Sequence, residues 1–268
     1  MSVTADPILA RALAYPFPRP AGSVVIVGNR LVELRELDPH ALAHSRVRVG
    51  DSEGTLADAV ADAGLSPETL AAARTPVLAY GSNASPQGLG WKFPDERGAV
   101  VPLLRGTIAD LDVVYSSHIA VYGSIPATLQ RSPGTVAETF VALLADAQLE
   151  LVRSWEINAR YEALRVQLSL DAGPAPGELG AFISRHGCLT SNGAEIAVAE
   201  VPADGRRLPA MTQPEALEHV RAAVAPGMSL ADFVHGNVRD YERARAYTAQ
   251  LRRSARAFEP SRRGDSNP

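Results

Sequence analysis

VLAYGSN, residues 77–83, is the stretch that says most about the fold and about a possible site. Its first four residues form a short apolar run, which predicts a strand, and the Gly-Ser-Asn that follows predicts a sharp turn. A glycine turn after a strand leaves backbone N–H groups unpaired and facing one concavity, which suits a carboxylate or an oxyanion. Ser82 and Asn83 add short polar side chains. The turn is therefore a candidate binding site, although a purely structural turn has the same sequence features.

Short strands dominate the sequence after this turn. One predicted helix interrupts them, beginning with Asp146 as its N-cap and running to about Ile157. Further helices are predicted from Gln213 onwards. This order predicts an α+β protein with a mixed sheet or barrel and a few helices. Strands are predicted at residues 100–104, 106–115, 119–122, 127–130, 139–144, 161–170, 180–183 and 196–201, with Ser132-Pro133-Gly134 as a turn.

The N-terminal part of the chain carries no arrangement to which a chemistry can be assigned. Residues 1–20, with four prolines, are predicted to be a flexible lead-in. Two short strands are predicted on either side of Gly28-Asn29. A helical segment at residues 56–73 is predicted to break at Gly64 and to restart at Ser66-Pro67, with serine as N-cap and proline as the first helical residue.

The composition is that of an ordinary globular protein. Of the 268 residues, 46% are hydrophobic and 21% are charged, and the net charge is −4. Nothing in that balance attracts nucleic acid or an anionic membrane, and the basic stretch at residues 252–263 is interpreted as a solvated tail. The single cysteine, Cys188, excludes an intramolecular disulfide. The proline-broken N-terminus has no long apolar run, so a reduced, cytoplasmic setting is predicted.

Glu156 is the most informative residue of the predicted helix. Leu149 and Val152 belong to its apolar stripe, and continuing at helical spacing the next member of that stripe is Glu156. We expect this carboxylate to be partly withdrawn from water. Desolvation disfavours the charged form of a carboxylate, which suits a group that takes and gives a proton near neutral pH. The alternative is that the helix end frays and Glu156 faces solvent.

Taken together, these features resemble the γ-glutamylcyclotransferase family. That family has a Tyr-Gly-Ser-Asn turn after its first core strand, found here as Tyr80, Gly81, Ser82 and Asn83. An Ala-Thr pair and a Ser-Pro-Gly turn follow in the family, and residues 127–128 and 132–134 occupy those places in this sequence.

The second half of the resemblance lies in the helix and the strand after it. The family has two leucines three residues apart, and its acid/base glutamate follows the second of them by four residues. Leu149, Val152 and Glu156 reproduce that spacing. A tyrosine opens the following strand, and Tyr161 fits that place. The resemblance covers roughly residues 76–201. It predicts three segments: an N-terminal extension at 1–75, a family-like core at 76–201, and a C-terminal helical segment with a disordered basic tail at 202–268.

The resemblance implies an enzyme of the lyase or acyltransferase class that needs no metal or organic cofactor. Members of the family cyclise a γ-glutamyl amide or dipeptide to 5-oxoproline and release the amine. The small-molecule substrate supplies its own nucleophile, and neither nucleic acid nor a membrane is an expected partner. By the resemblance Glu156 is the acid/base, the turn at residues 80–83 binds the substrate, and Tyr161 is a hydroxyl partner or a wall of the pocket.

Several alternatives stay open at this level. The same fold and Glu156 can serve another amide cleavage or acyl transfer on a γ-glutamyl intermediate, or a binding module without turnover. His186 and Cys188, two residues apart, form a conceivable nucleophilic pair. Arg206-Arg207 can meet an acidic substrate tail, although a solvated pair is the simpler interpretation. The histidines show no metal-ligand spacing.

Overall fold

A large mixed β-sheet accounts for most of the strands in the computed structural model, which describes residues 6–93 and 99–259. The chain is a mixed α+β protein, as predicted. Its contacts form two units: the first contains residues 16–109 and 138–182, and the second contains the described parts of residues 1–15, 110–137 and 183–268. The units alternate along the chain, and the three consecutive segments predicted from the sequence stay a prediction.

The first unit is built on strands in which buried residues alternate with partly buried ones, as in Val24–Val27, or follow one another without a break, as in Leu179–Ser184. Its strand order is β4-β3-β2-β1-β6-β7-β5-β10-β8, with β9 paired to β6. β5 is antiparallel to β7 but parallel to β10, which makes the sheet mixed. The strands are β1 Val24–Val27, β2 Arg30–Glu36, β3 Arg46–Val49, β4 Ser52–Thr55, β5 Arg74–Ala79, β6 Val100–Tyr115, β7 Ala127–Ala145, β8 Ala159–Leu164, β9 Leu168–Leu170 and β10 Leu179–Ser184; β6, β7 and β10 contribute residues to both units.

Helices cover the sheet of the first unit. α5 packs the apolar stripe of Leu149 and Val152 onto Val77 and Phe140 of the sheet, in a cluster of almost fully buried residues. Burying side chains of this size contributes about 1.5–3 kcal/mol each to stability. The helices are α2 Leu56–Asp62, α3 Glu68–Ala71, α4 Pro86–Gly90 and α5 Asp146–Trp155, with 3₁₀ turns at Leu42–His44 and Ser82–Ala84.

The second unit contains α1 at the N-terminal end and three helices at the C-terminal end. Its short strands extend the ends of β6 and β7: β13 pairs with β6 at Val114, and β14 pairs with β7 at Ala137. The helices are α1 Pro7–Leu13, α6 Gln213–Val224, α7 Leu230–Arg239 and α8 Tyr241–Leu251; the strands are β11 Thr190–Ser191, β12 Ala194–Glu195, β13 Ala197–Val198, β14 Ala203–Asp204 and β15 Ala210–Met211. Within the described ranges, no helix is long and apolar enough to cross a membrane.

One predicted turn and one predicted strand near the middle of the chain were wrong. Ser132-Pro133-Gly134 does not end a strand but lies inside β7, because Gly134 takes a left-handed φ of +82° and its N–H donates to Asp110 Oδ1 at 2.8 Å. The strand predicted at residues 119–122 is a loop. The N–H of Ile119 donates to Thr248 Oγ1 and that of Ala120 to the Ser124 carbonyl, so neither amide is available for a sheet ladder.

Other boundaries were also wrong. The strand predicted at residues 161–170 is two strands, β8 and β9, and that at 196–201 is reduced to β13. Asp146 is the first residue of α5 rather than its N-cap. The N-cap is Ala145, whose N–H donates to Gln148 Oε1 at 2.9 Å. α3 begins at Glu68, whose N–H donates to Ser66 Oγ.

Both chain ends are more ordered than predicted wherever the structure describes them. Residues 7–13 form α1, and Tyr15 and Phe17 are buried, so the described part of residues 1–20 is not a flexible lead-in. At the other end Arg256 exchanges two backbone hydrogen bonds with Cys188. The described part of the basic stretch is therefore held in place, while residues 260–268 lie outside the described residues.

The two adjacent arginines have different environments within the second unit. Arg206 donates Nε and Nη2 to both oxygens of Asp112 at 2.9 Å, and Nη2 also reaches the carbonyl of Val201. The Asp112 side chain is 0% exposed and that of Arg206 is 14% exposed. The interpretation of these arginines as a solvated pair was thus wrong for Arg206, which neutralises a buried carboxylate, whereas Arg207 is exposed.

We predict that Arg206→Met lowers the free energy of unfolding by about 3 kcal/mol or more, because it leaves the Asp112 carboxylate buried without a counter-charge. Arg207→Met, the matched control, removes the same charge from an exposed site and should change stability by less than about 0.5 kcal/mol. Urea unfolding followed by circular dichroism measures both. Equal effects of the two substitutions would contradict the assignment.

Candidate active site

The end of β5 and the end of α5 meet because of how β5 pairs with β7. Arg74 at the start of β5 lies opposite Ala145 at the end of β7, and Ala79 lies opposite Phe140. α5 begins directly after Ala145 and packs along β5. The first and last Cα atoms of β5 are about 17 Å apart at the usual rise of a strand, and those of α5 are about 14 Å apart. The helix therefore ends near the turn that follows Ala79.

The turn itself is a short 3₁₀ turn that leads into α4. The Ala84 N–H donates to the Gly81 carbonyl and the Ser85 N–H to the Ser82 carbonyl. Within residues 6–93 and 99–259, no acceptor lies within hydrogen-bond distance of the N–H groups of Gly81, Ser82 and Asn83. Unpaired donors of this kind are normal at the start of a helical turn and are suited to an anionic group.

Glu156 reaches the turn through its side chain. Although α5 ends at Trp155, the Glu156 N–H still donates to the Val152 carbonyl, so the helical spacing of the stripe is kept. Glu156 Oε1 accepts a hydrogen bond from Asn83 Nδ2 at 3.0 Å. The Glu156 side chain is 25% exposed, so it is largely withdrawn from water and does not face solvent as it would at a frayed helix end.

Lys92 is the third member of this cluster. Its ammonium donates to Asn83 Oδ1 at 2.5 Å and to Glu156 Oε1 at 2.6 Å, and its side chain is only 8% exposed. A largely buried ammonium needs a counter-charge, and Glu156 provides it. The three side chains thus form a closed set in which each contacts the other two.

Lys92 was not among the site residues predicted from the sequence. It follows α4 in a stretch with no strand or helix periodicity, and a lysine between aromatic residues carries no sign of burial. The one available signal is its position nine residues after Asn83. Gly88 within α4 has no side chain, which lets the helix lie against the Ser82 carbonyl and bring Lys92 back over the turn.

Tyr80 is buried beneath the turn. Its hydroxyl donates to the carbonyl of Phe182 on β10, and its own carbonyl accepts a hydrogen bond from Arg19 Nη2 at 2.6 Å. Only 5% of Tyr80 is exposed. Its place in the structure is consistent with anchoring the turn to the sheet, and the substrate contact predicted for it stays a prediction.

Tyr161 lies on β8, beside β10. Its ring packs directly on the Cα of Gly180, meets the ring of Phe182 edge-on at 5.2 Å, and has the Arg153 guanidinium 4.5 Å from its centroid. In the described part of the chain its hydroxyl has no hydrogen-bond partner. Tyr161 and Tyr80 therefore share Phe182 as a neighbour, and the predicted role of Tyr161 as a pocket wall stays a prediction.

The N-terminal stretch at residues 16–20 also reaches the turn region of the first unit. Besides the Arg19 hydrogen bond to Tyr80, the ring of Phe17 packs edge-on against Trp91 with centroids 4.7 Å apart. Trp91 directly precedes Lys92. A segment without recognisable chemistry in the sequence thus supports both the turn and the lysine.

His186 and Cys188 do not form a nucleophilic pair. Burial raises the pKa of the Cys188 thiol to about 12, with a further contribution from Glu195, and its Sγ faces the Leu129 carbonyl. A thiol of this kind is a poor nucleophile because the reactive form is the thiolate. The nearby His118 is buried as well, which lowers its pKa to about 3, and it hydrogen-bonds Ser116. Ser116 also hydrogen-bonds Ser184, so His118, Ser116 and Ser184 form a buried polar network.

Comparison with known proteins does not identify a family for this chain. No protein-family model matches the chain, and no curated protein matches its sequence. Among the described residues, no group of three or more His, Cys, Asp or Glu is placed to hold a metal ion. The site is therefore described by its own chemistry: a carboxylate, an ammonium and a carboxamide beside a turn with unpaired N–H groups.

We predict that Gly88→Ala lowers stability and disturbs the turn, because an added Cβ would lie 2.1 Å from the Ser82 carbonyl oxygen. Overpacking of this kind typically costs about 1–3 kcal/mol. Gly90→Ala on the same helix meets nothing within 4 Å and should be neutral or stabilising by up to about 1 kcal/mol. Urea unfolding of the two variants should separate them, and similar values would show that α4 does not press on the turn.

Proposed function

We propose that the chain is a cofactor-independent enzyme of the γ-glutamylcyclotransferase type, which converts a γ-glutamyl amide or dipeptide into 5-oxoproline and an amine. The observation that carries the proposal is the hydrogen bond between Asn83 and Glu156. These residues are 73 positions apart and belong to the two separate features that resemble the family. Their contact supports a shared site.

Glu156 is the proton carrier in this proposal. Its carboxylate takes a proton from the substrate's α-ammonium, and the freed amine attacks the γ-carbonyl carbon of the same molecule. The ring C–N bond forms, the bond to the leaving nitrogen breaks, and Glu156 returns the proton to that nitrogen. The ring nitrogen gives its surplus proton to solvent, and the released amine takes one proton from solvent to become an ammonium. No group is transferred to the protein, so no serine or cysteine nucleophile is needed. A positioned acid/base contributes about 10²–10⁴-fold to a rate.

The turn supplies the groups that bind negative charge. The unpaired N–H groups of Gly81 and Ser82 are suited to the oxyanion that forms at the γ-carbonyl or to the α-carboxylate of the substrate. Losing one such donor typically costs about 3 kcal/mol of transition-state stabilisation. Holding the substrate in its cyclising conformation contributes further, because amine and carbonyl then react within one molecule.

Lys92 is a positioning residue in this scheme. Its hydrogen bonds to both Asn83 and Glu156 fix the carboxylate relative to the turn. Two donors already meet Glu156 Oε1, and this leaves Oε2 for the substrate ammonium.

The same ion pair favours a second candidate function, a binding module without turnover. A carboxylate that is paired with a nearly buried lysine can serve as a fixed structural charge, and the turn can still hold an anion. The two candidates differ in one respect: only the enzyme forms 5-oxoproline.

We predict that the purified protein releases 5-oxoproline from at least one member of a panel of γ-glutamyl amines and dipeptides. Glu156→Gln should lower kcat about 10²–10⁴-fold, since the amide cannot carry the proton. Glu150→Gln is the matched control, because Glu150 is exposed on the same helix and, among the residues that the structure describes, pairs only with Arg153. It should leave the rate unchanged. Chromatography with mass detection of 5-oxoproline provides the measurement.

The two candidates give different results in this assay. A folded Glu156→Gln protein that forms 5-oxoproline at the original rate would contradict the role of Glu156. Binding of a γ-glutamyl compound without any product, weakened by Asn83→Ala, would instead support the binding module. Correct folding of each variant is checked by circular dichroism.

A further inference from the structure

A second candidate binding site lies in the first unit, around Arg74. Arg74 begins β5, and the turn follows the last residue of that strand, so about 17 Å of strand separates the two ends. A cavity of about 720 Å³ opens around Arg74. This volume falls in the range of small-molecule sites, about 300–1,000 Å³. Its lining is mainly apolar and includes Leu42, Leu70, Leu104, Val141, Leu143 and Leu170.

Arg74 is the cationic group of this lining, and its hydrogen-bond partners are neutral. Nη1 donates to the carbonyls of Val100 and Leu143 and to Gln148 Oε1, at 2.9, 3.1 and 3.3 Å, and Nη2 donates to the Thr69 carbonyl at 2.7 Å. Among the described residues, no carboxylate lies within 4 Å of the guanidinium, and Nε is buried without an acceptor. Among the described residues, oxygen dipoles accept hydrogen bonds from Nη1 and Nη2, but the Nε N–H has no acceptor and the charge has no counter-ion.

The charge of Arg74 persists at neutral pH. Burial lowers the pKa of its guanidinium to about 10, which still leaves it protonated at pH 7. A partly buried cation of this kind costs free energy unless an anion lies nearby, so an anion that enters the cavity gains from the pairing.

The other ionisable residues of the lining do not supply that anion. Asp38 Oδ1 accepts hydrogen bonds from the N–H groups of His40 and Ala41, at 2.8 and 3.0 Å, and these bonds lower the pKa of its carboxyl. Its Oδ2 lies 3.8 Å from His44 Nδ1. The Asp38 carboxylate is thus held by the backbone and the histidine of its own turn. His40 is a further lining residue and carries no negative charge.

We propose that this cavity binds an amphipathic organic carboxylate, with its carboxylate beside Arg74 and its apolar part among the leucines. An apolar compound without charge would leave the guanidinium unpaired, and a small polar anion would leave the apolar walls wet. The ligand class that satisfies both is a carboxylate on an aliphatic or aromatic body. This inference does not depend on the proposed function, because it uses none of the residues at the turn.

Isothermal titration calorimetry of the full chain with octanoate and with octanamide tests the proposal. The two probes share their apolar chain and differ in charge. We predict that octanoate binds about tenfold or more tightly than octanamide, as expected for a hydrogen-bonded charge pair. Arg74→Gln should abolish that preference, and Arg74→Lys, which keeps the charge, should retain part of it.

Two further variants keep Arg74 intact and separate this site from the turn. Ala71→Trp places a large ring on an exposed position of the lining and should weaken binding of both probes about tenfold or more. Glu156→Gln should leave octanoate binding unchanged. Equal affinities for the two probes, no effect of Ala71→Trp, or loss of octanoate binding in Glu156→Gln would each overturn the proposal.

Discussion

The antiparallel ladder between β5 and β7 is the constraint on which the candidate active site depends. It sets Arg74 against Ala145 and Ala79 against Phe140, and thereby fixes where α5 starts and where the turn begins. The helix and the strand are of similar length, so Glu156, which follows the helix, arrives at the turn that follows the strand. The hydrogen bond from Asn83 to Glu156 is the consequence.

The same ladder gives β5 two chemically different ends. At one end a lysine and a glutamate neutralise each other beside unpaired N–H groups. At the other end an arginine donates hydrogen bonds to carbonyl and amide oxygens, within a mainly apolar cavity. The glutamate at the first end belongs to the cluster that is proposed to move a proton, whereas a guanidinium without a nearby carboxylate is suited to holding an anion. One strand thus connects a site proposed for chemistry with a site proposed for binding.

The sequence predicted the parts of the site that depend on local periodicity. The stripe of Leu149 and Val152 is buried, and Glu156 continues it, because helical spacing is a property of neighbouring residues. Lys92 could not be predicted, since its burial results from the path of α4 over the turn. That path depends on Gly88, because its lack of a side chain lets α4 lie against Ser82 in the folded chain.

Errors in the strand boundaries have a similar origin. Ser132-Pro133-Gly134 has the composition of a turn, but the left-handed Gly134 is accommodated within β7 because Asp110 accepts its N–H. The described part of residues 1–20 looked mobile because of its prolines, yet Phe17 and Arg19 are held by Trp91 and Tyr80. In each case a partner distant in sequence decided a local conformation.

The central claim is that the cluster at Glu156 promotes attack within the substrate rather than attack by water. Incubation with a γ-glutamyl dipeptide in ¹⁸O-labelled water, followed by mass spectrometry, tests it most directly. Cyclisation predicts 5-oxoproline without ¹⁸O, since both ring-forming atoms come from the substrate. Glutamate carrying ¹⁸O in its γ-carboxylate would show hydrolysis and contradict the claim.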